Sequence, residues 1–146
     1  MTYRIATFED CPLLAELNQQ LIQDEGHRNS MTMPELERRM KEWLSGDYTA
    51  VLFENGREAV AYALFRELSD EIYLRHLFVI PSRRRMGVGR EAMEILRSHI
   101  WPKDKRLTVS VLTSNKPAIA FWRTIGYCDY SMTLEILPTL NPQRTA

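Results

Sequence analysis

The chain has 146 residues, 45% of them apolar and 26% charged, enough for one soluble domain around one sizeable core. Its 19 basic and 19 acidic side chains cancel, which argues against the broad basic face of a nucleic-acid binder. No apolar run is long enough to cross a bilayer and the opening Met-Thr-Tyr-Arg has no signal-peptide character, so no membrane role is expected.

In chain order, residues 3–6 alternate as a short first strand. Asp10 is a candidate N-cap for a helix carrying Leu13, Leu14, Leu17, Leu21 and Ile22 at helical spacing and stopping near Gly26. Thr32, with Glu35 three residues on and Pro34 in the first turn, opens a second helix whose apolar face is Leu36, Met40, Trp43 and Leu44. The polar linker 24–30 lies between them. Residues 48–53 and 58–65 are strand-like runs around Asn55-Gly56, a hairpin turn. Ser69-Asp70 makes a second turn before the most strand-like stretch, 71–80.

An arginine-rich loop with two glycines then leads into a helix over about 88–100, broken by Pro102. Residues 107–112 form another apolar strand, and a helix starts around Pro117 and stops at Gly126. Residues 127–136 have the alternation of a last strand, and the tail with Pro138 and Pro142 is a loosely held end. This order predicts an α/β fold, a single mixed and mostly antiparallel sheet flanked by helices on both faces. Residues 1–137 form one domain in this reading, and 138–146 a C-terminal tail.

Cys11 and Cys128 stand alone, which suits free thiols in a reducing cytoplasm. His27, His76 and His99 are too scattered for a metal site, so none is expected.

The informative segment is 79–90. Arg83, Arg84, Arg85 and Arg90 fall within eight positions of a neutral chain, beside Gly87 and Gly89. A strand running into a glycine loop that opens a helix presents unpaired N–H groups and the positive end of the helix dipole, a natural phosphate or pyrophosphate seat. The plainer reading is a solvated basic turn; the strand-before, helix-after context and the arginines favour the anion. No Gly-Lys-Ser/Thr follows, so this is not a Walker loop, and two glycines make a poor dinucleotide fingerprint.

These residues resemble a known family. Arg84-Arg85-Met86-Gly87-Val88-Gly89 is similar to the R/Q-x-x-G-x-G/A signature of the GNAT superfamily of acyl-CoA-dependent N-acyltransferases, and Leu77-Phe78-Val79-Ile80-Pro81 to the strand end that precedes it. The run from Asn115 through Ala118, Phe121 and Trp122 to Gly126-Tyr127 resembles the family's N-x-x-A-x-x-x-Y-x-x-x-G-F block.

The resemblance implies acetyl-CoA as acyl donor, with no metal. Backbone groups of Leu77, Phe78 and Val79 would pair with the pantetheine arm where the sheet splays. Amides of Arg84, Arg85, Met86, Gly87, Val88 and Gly89 would hold the pyrophosphate. Asn115, Ala118, Phe121 and Trp122 would flank the arm from the other side, with Asn115 also able to cap its helix.

Direct transfer needs a neutral amine, support for an oxyanion and an exit for the thiolate. The family's usual tyrosine acid is replaced by Trp122, whose indole N–H does not ionise near neutral pH. Tyr127 or Tyr130 could substitute, water could, or the thiolate could leave unaided; Trp122 is expected to pack.

Alternation puts Glu71, Tyr73, Arg75 and Leu77 on one face of their strand, which makes Glu71 and then Tyr73 base candidates; Glu71 as a plain surface residue is the alternative. His76 falls on the opposite face in that register and reads as a packed, hydrogen-bonded histidine. Glu25, His27 and Arg28 sit where the family's acceptor loop falls, and Arg28 with Arg75 would suit an acceptor bearing a carboxylate. The expectation is an N-acetyltransferase acting on an amine of a small molecule or peptide. A non-catalytic acyl-CoA-binding or sensing module of the same fold is the alternative. A projecting last strand could pair two copies into a homodimer.

Overall fold

Two long central strands sort their side chains by the period of two and thereby build both faces of the molecule. The computed structural model describes residues 1–26 and 28–139; His27 and 140–146, including most of the proposed tail, lie outside the described residues. The elements are β1 (Thr2–Ile5), α1 (Cys11–Glu25), α2 (Met33–Ser45), β2 (Tyr48–Asn55), β3 (Glu58–Glu67), β4 (Glu71–Val79), α3 (Val88–Ile95), β5 (Arg106–Val109) and α4 (Lys116–Ile125). One sheet runs in the order β1-β2-β3-β4-β5, antiparallel except for the parallel β4–β5 pair.

On β2 and β3, Val51, Phe53, Ala61, Ala63 and Phe65 face Ala92, Met93 and Leu96 of α3 and its continuation. The intervening Ala50, Leu52, Tyr62 and Leu64 face Leu14, Leu17 and Leu21 of α1 and Met40 of α2. The result is the helix-covered mixed sheet that the sequence predicts. Local chemistry sets the helix ends. Gly26 closes α1 at φ 63°, and Thr32 and Glu35 form the expected capping box, with the Thr32 N–H donating to Glu35 Oε1 at 3.0 Å.

Four readings need correction or refinement. Asp10 takes the N-cap position of α1 as expected but gives it no side-chain hydrogen bond: its carboxylate accepts from Arg4 at 2.8 and 2.9 Å and from the Thr7 N–H at 2.8 Å. The β2–β3 turn sits one residue later than expected, because Asn55 pairs with Glu58 and leaves Gly56-Arg57 as the two-residue loop, Gly56 taking φ 62°.

The third correction matters most for function. The register passes from Leu64↔His76 to Phe65↔Leu74, leaving Arg75 as the extra residue of a bulge in β4. Ile72 and Leu74 face α3 before the bulge, and Leu77 and Val79 face it afterwards, while His76 and Phe78 join the α1–α2 side. Leu77 therefore does not share a face with Glu71, Tyr73 and Arg75, and His76 is not on the face opposite to them.

Finally, residues 127–139 form no strand. Asp129 is held by Arg123 at 2.8 Å, Tyr130 lies over the Arg106 guanidinium, and Glu135 pairs with Arg28 at 2.9 Å, so side-chain contacts and not a ladder hold this segment.

Candidate active site

β4 and β5 pair only from Glu71↔Arg106 to Leu74↔Val109 and then part. The phase of the β3–β4 ladder decides which β4 groups face the gap. Ile80 N–H donates to the Val60 carbonyl at 3.0 Å, so two residues back Phe78 forms a hydrogen-bonded pair with Tyr62. Leu77 and Val79 then turn their N–H and C=O groups away from β3, into the splay. Of the three residues expected to offer backbone groups, Phe78 has its own engaged by β3. The Val79 carbonyl already accepts from Arg84 Nε at 3.0 Å, leaving its N–H directed into the gap.

The loop after β4 ends where the splay opens. Arg85 and Gly87 both take left-handed backbone, at φ 63° and 79°. For a bulky non-glycine residue that conformation is strained, a sign of a loop shaped for something other than chain economy. The first intrahelical bond of α3 runs from Glu91 N–H to the Gly87 carbonyl at 3.0 Å, so the amides of Val88, Gly89 and Arg90 precede any i−4 partner. Nothing lies within 4 Å of a Cβ built on Gly87, which leaves that approach open to an anion. Gly89 has a second duty: a Cβ there would meet the Phe121 ring at 3.3 Å, so its absence lets α3 pack against α4.

The arginines divide their work. Arg83 is held by Glu58 at 2.9 Å, and Arg84 pairs with Asp24 at the end of α1 besides holding Val79. The Arg84 N–H is also spent, on the Pro81 carbonyl at 3.4 Å. The exposed Arg85 and Met86 lie at the loop's outer surface. Across the splay, Asn115 caps α4, its Oδ1 accepting from Ala118 N–H at 3.3 Å.

On the α1–α2 side, the bulge assembles polar and aromatic groups. Tyr62 OH is 3.1 Å from His76 Nδ1, and the His76 ring meets Trp43 edge-on at 5.5 Å. Arg39 and Arg75 both lie over the Trp43 ring, at 4.3 and 4.8 Å. Arg39 reaches Asn18 Oδ1 at 2.9 Å and Arg75 reaches Tyr48 OH at 3.3 Å, both neutral partners. Burial, reinforced by the charge of Arg75, lowers the pKa of Arg39. Burial likewise pushes the Tyr62 hydroxyl far up, so it stays protonated beside His76. Among the described residues no group of His, Cys, Asp and Glu could hold a metal.

Residues 14–127 match the model of the Acetyltransferase (GNAT) family. The chain belongs to that family. It is 30% identical over 99 residues to the ribosomal protein bS18-alanine N-acetyltransferase of Escherichia coli K12, spanning 65% of this chain and 64% of that protein. A crystal structure of a mutant Bacillus halodurans protein, BH1408, matches with a TM-score of 0.76 and 25% identity over 96% of this chain and 100% of that one. A predicted acetyltransferase from Clostridium acetobutylicum, solved with acetyl-CoA, shares the fold at a TM-score of 0.73 and 17% identity, covering 93% of this chain and 95% of that one.

Within this GNAT frame the expected catalytic groups scatter. Glu71 lies at the paired end of β4, accepting from Thr108 Oγ1 at 2.9 Å and Arg106 at 3.4 Å, short of where the strands part. Tyr73 is half-buried one pleat nearer the gap. Trp122 packs between Phe121 and Tyr127 at 4.9 and 5.4 Å. The Tyr127 hydroxyl is buried with no partner among the described residues, and burial raises its pKa to about 12. Of the acceptor-loop candidates, Glu25 ends α1 and Arg28 pairs with Glu135, while His27 lies outside the described residues.

Sequence reasoning missed Arg39, Trp43, Tyr48 and Tyr62 as companions of Arg75. The one available signal was Trp43 on the apolar stripe of α2 beside a mid-helix arginine.

Proposed function

We propose that the protein is an acyl-CoA-dependent N-acetyltransferase that moves an acetyl group from acetyl-CoA directly to a primary amine of a small molecule or peptide. The observation that carries this reading is a set of backbone donors along one edge, interrupted where the Ile80, Arg83 and Arg84 N–H groups bond within the chain. It begins at Leu77 and Val79 in the splay and ends at the α3 amides behind the left-handed Gly87. A strand-like arm with a pyrophosphate at its end fits that edge, the arm as an added strand and the phosphates at a helix N-terminus. The acetyl-CoA bound to a protein of the same fold supports the choice.

Acetyl-CoA supplies an acyl group activated as a thioester. The amides of Val88, Gly89 and Arg90 neutralise phosphate charge, with Arg85 and Met86 bordering them. Asn115, Ala118 and Phe121 wall the other side of the arm, and Trp122 stiffens that wall. The Val79 N–H, in the gap, supports negative charge on the carbonyl oxygen. An alkylamine has a pKa of about 10.4, so a base must take its proton. His76 fills this role in our reading, steadied by Tyr62 and on the side of the sheet that α1 and α2 cover. Glu71 and Tyr73 are the alternatives.

Arg39 and Arg75 over Trp43, each hydrogen-bonded to a neutral partner, support an acceptor that carries a carboxylate besides its amine. Arg28 and Glu25 edge the same side. The E. coli relative acts on a ribosomal-protein alanine, and a peptide N-terminus is an acceptor to test beside amino acids. No helix is long and apolar enough to cross a membrane among the described residues, and the exposed Cys128 thiol suits the cytoplasm.

Trp122 in place of a tyrosine acid favours a second reading, a non-catalytic acyl-CoA sensor. Calorimetric titration with acetyl-CoA, followed by thiol release in the presence of amino acids and short peptides, separates the two. Binding with amine-dependent thiol release supports the enzyme, binding without release supports the sensor, and no binding by folded protein overturns both.

A further inference from the structure

On the α1–α2 side of the sheet, three buried polar residues each hold one group that reaches solvent. Asn18 Oδ1 accepts from Arg39 Nη2 at 2.9 Å, Tyr48 OH accepts from Arg75 Nη1 at 3.3 Å, and Tyr62 OH lies 3.1 Å from His76 Nδ1. Asn18, Tyr48 and Tyr62 are buried, whereas Arg39, Trp43 and His76 are half-buried and Arg75 is exposed.

The three solvent-reaching groups share one indole. The His76 ring meets Trp43 edge-on at 5.5 Å, and the Arg39 and Arg75 guanidiniums lie 4.3 and 4.8 Å from the same ring. The gap from the imidazole to either guanidinium is therefore bounded by those two legs laid end to end. A molecule that bridges it with a hydrogen bond of about 3 Å at each end has room for only a few bonds between its own polar groups.

Asn18 is the informative member of the floor. Among the described residues it is the only buried amide or charged side chain, on a helix whose other buried positions are Cys11, Leu14, Ala15, Leu17 and Leu21. Its Nδ2 and the Arg39 Nε are buried with no partner among the described residues. An apolar side chain would fill that position without an unsatisfied donor, so the amide is explained by the guanidinium it orients. Burial, and then the charge of Arg75, lowers the pKa of Arg39. Arg66, which also lies over Tyr48, has Asp47 at 3.9 Å. Arg39 and Arg75 are bonded instead to neutral groups, and a carboxylate from outside matches their planar forks.

We propose that the acceptor is a free amino acid whose amine and carboxylate are only a few bonds apart, the carboxylate held by Arg39 and Arg75 and the amine at His76. Asn18 and Tyr48 are the positioning residues for the two guanidiniums. This rests on the acetyltransferase reading with His76 as base. The amine nitrogen bonds to the acetyl carbon, the carbon–sulfur bond breaks, and the amine proton passes to His76 as coenzyme A leaves as thiolate. The product is an N-acetyl amino acid with its carboxylate intact. A polypeptide bound by its N-terminus carries its C-terminal carboxylate too far off to reach either arginine.

The test compares free amino acids with their carboxamides in thiol release at saturating acetyl-CoA, beside γ-aminobutyrate, ε-aminocaproate and a C-terminally amidated peptide. Expected are a kcat/KM about 100-fold higher for acids than for carboxamides and a fall from γ-aminobutyrate to ε-aminocaproate. Arg39→Gln and Arg75→Gln should each cut the preference for acids about tenfold. Asn18→Asp keeps the bond to Arg39 but neutralises its charge, and should raise the KM of the acids far more than it moves kcat. Asn18→Ala, which loosens Arg39 without removing it, should lower the preference severalfold. Plain loss of stability would affect acids and carboxamides alike.

Equal turnover of acids and carboxamides, or fastest turnover of the amidated peptide, overturns the inference and leaves the transferase standing. A preference for acids that survives both arginine changes places the carboxylate elsewhere and overturns it too. If no amine releases thiol, the transferase reading fails, and calorimetric binding of the same acids and carboxamides to wild-type protein with coenzyme A decides the amino-acid site on its own. Acids that bind no better than carboxamides overturn the site, and tighter binding of acids supports it. Both wild-type comparisons stand even if a variant fails to fold.

Discussion

The Arg84 guanidinium donates through Nε to the Val79 carbonyl at 3.0 Å and pairs through Nη2 with Asp24 at the end of α1. One side chain thus ties the phosphate loop to the edge of the splay and to the helix that leads into the acceptor loop. The arginine of the family signature serves here as a brace, its charge spent on Asp24.

Removing that brace should loosen the loop more than it removes charge. Arg84→Ala is expected to weaken acetyl-CoA binding by roughly fivefold, on the order of 1 kcal/mol for a half-exposed pair. Arg84→Lys should recover little, because an ammonium lacks the planar fork that spans both partners. Calorimetry on the three proteins checks this, and equal affinity for wild type and Arg84→Ala would remove the bracing role.

The two loop glycines should fail differently. Gly87→Ala meets no neighbour but holds a Cβ at φ 79°, at a cost of about 1–2 kcal/mol, and it intrudes where an anion approaches. Gly89→Ala brings its Cβ to 3.3 Å from Phe121, an overpacking cost of about 1–3 kcal/mol. Phe121→Leu should relieve Gly89→Ala and leave Gly87→Ala unchanged. Denaturant midpoints of the singles and doubles measure that coupling, and additivity at Gly89 would show that the ring simply moves aside.

His76 is the base in the proposed reaction, so His76→Gln should cut kcat by about 100-fold or more and flatten the acidic limb of its pH profile. Glutamine can still hydrogen-bond to Tyr62, which keeps the packing change small. Glu71→Gln, changed where β4 is still paired with β5, should leave kcat within a few-fold. The opposite ranking would return the base to Glu71.

Local chemistry was legible in the sequence and long-range pairing was less so. Thr32 with Glu35, the stop at Gly26 and the strand–loop–helix around Gly87 each depend on a few neighbouring residues, and each was read correctly. The Arg75 bulge reverses the faces of every β4 residue after it, and no period in the sequence announces where a ladder slips. Residues 127–136 have a strand's alternation, but alternation alone does not create the ladder partner that makes a strand. The Arg39–Trp43–Arg75 cluster went unread for the same reason: it joins α2 to a residue placed by the bulge.

Acid should loosen the β1–α1 junction. The Arg4 guanidinium bonded to Asp10 holds that carboxyl below its ordinary value, with the Thr7 N–H adding to the effect. Its folded pKa lies below its unfolded one, so its contribution is present above about pH 4 and is lost as pH falls through the folded value. Asp10→Asn should lower stability at neutral pH and remove part of the slope below pH 4. Denaturant midpoints between pH 2 and 7 for both proteins check this, and parallel curves would mean that the pair contributes nothing.

Tyr127 offers the sharpest test of how the thiolate leaves. Its hydroxyl is buried without a partner among the described residues, and burial raises its pKa to about 12, so the group is stabilised as a neutral phenol at a structural cost. A buried unsatisfied hydroxyl costs about 1–3 kcal/mol, and Tyr127→Phe removes the oxygen while keeping the ring against Trp122. The variant should melt at the same temperature or a few degrees higher, by about 2–4 °C per kcal/mol for a chain of this size. With no acid at Trp122 and none at Tyr127, kcat should hold within about twofold, since a thiolate with a conjugate acid of pKa near 8.5 needs little help to depart. A raised melting temperature with kcat reduced by about 100-fold would give the opposite answer: the strained hydroxyl would be the proton donor, and its missing partner in the resting protein would be the leaving sulfur.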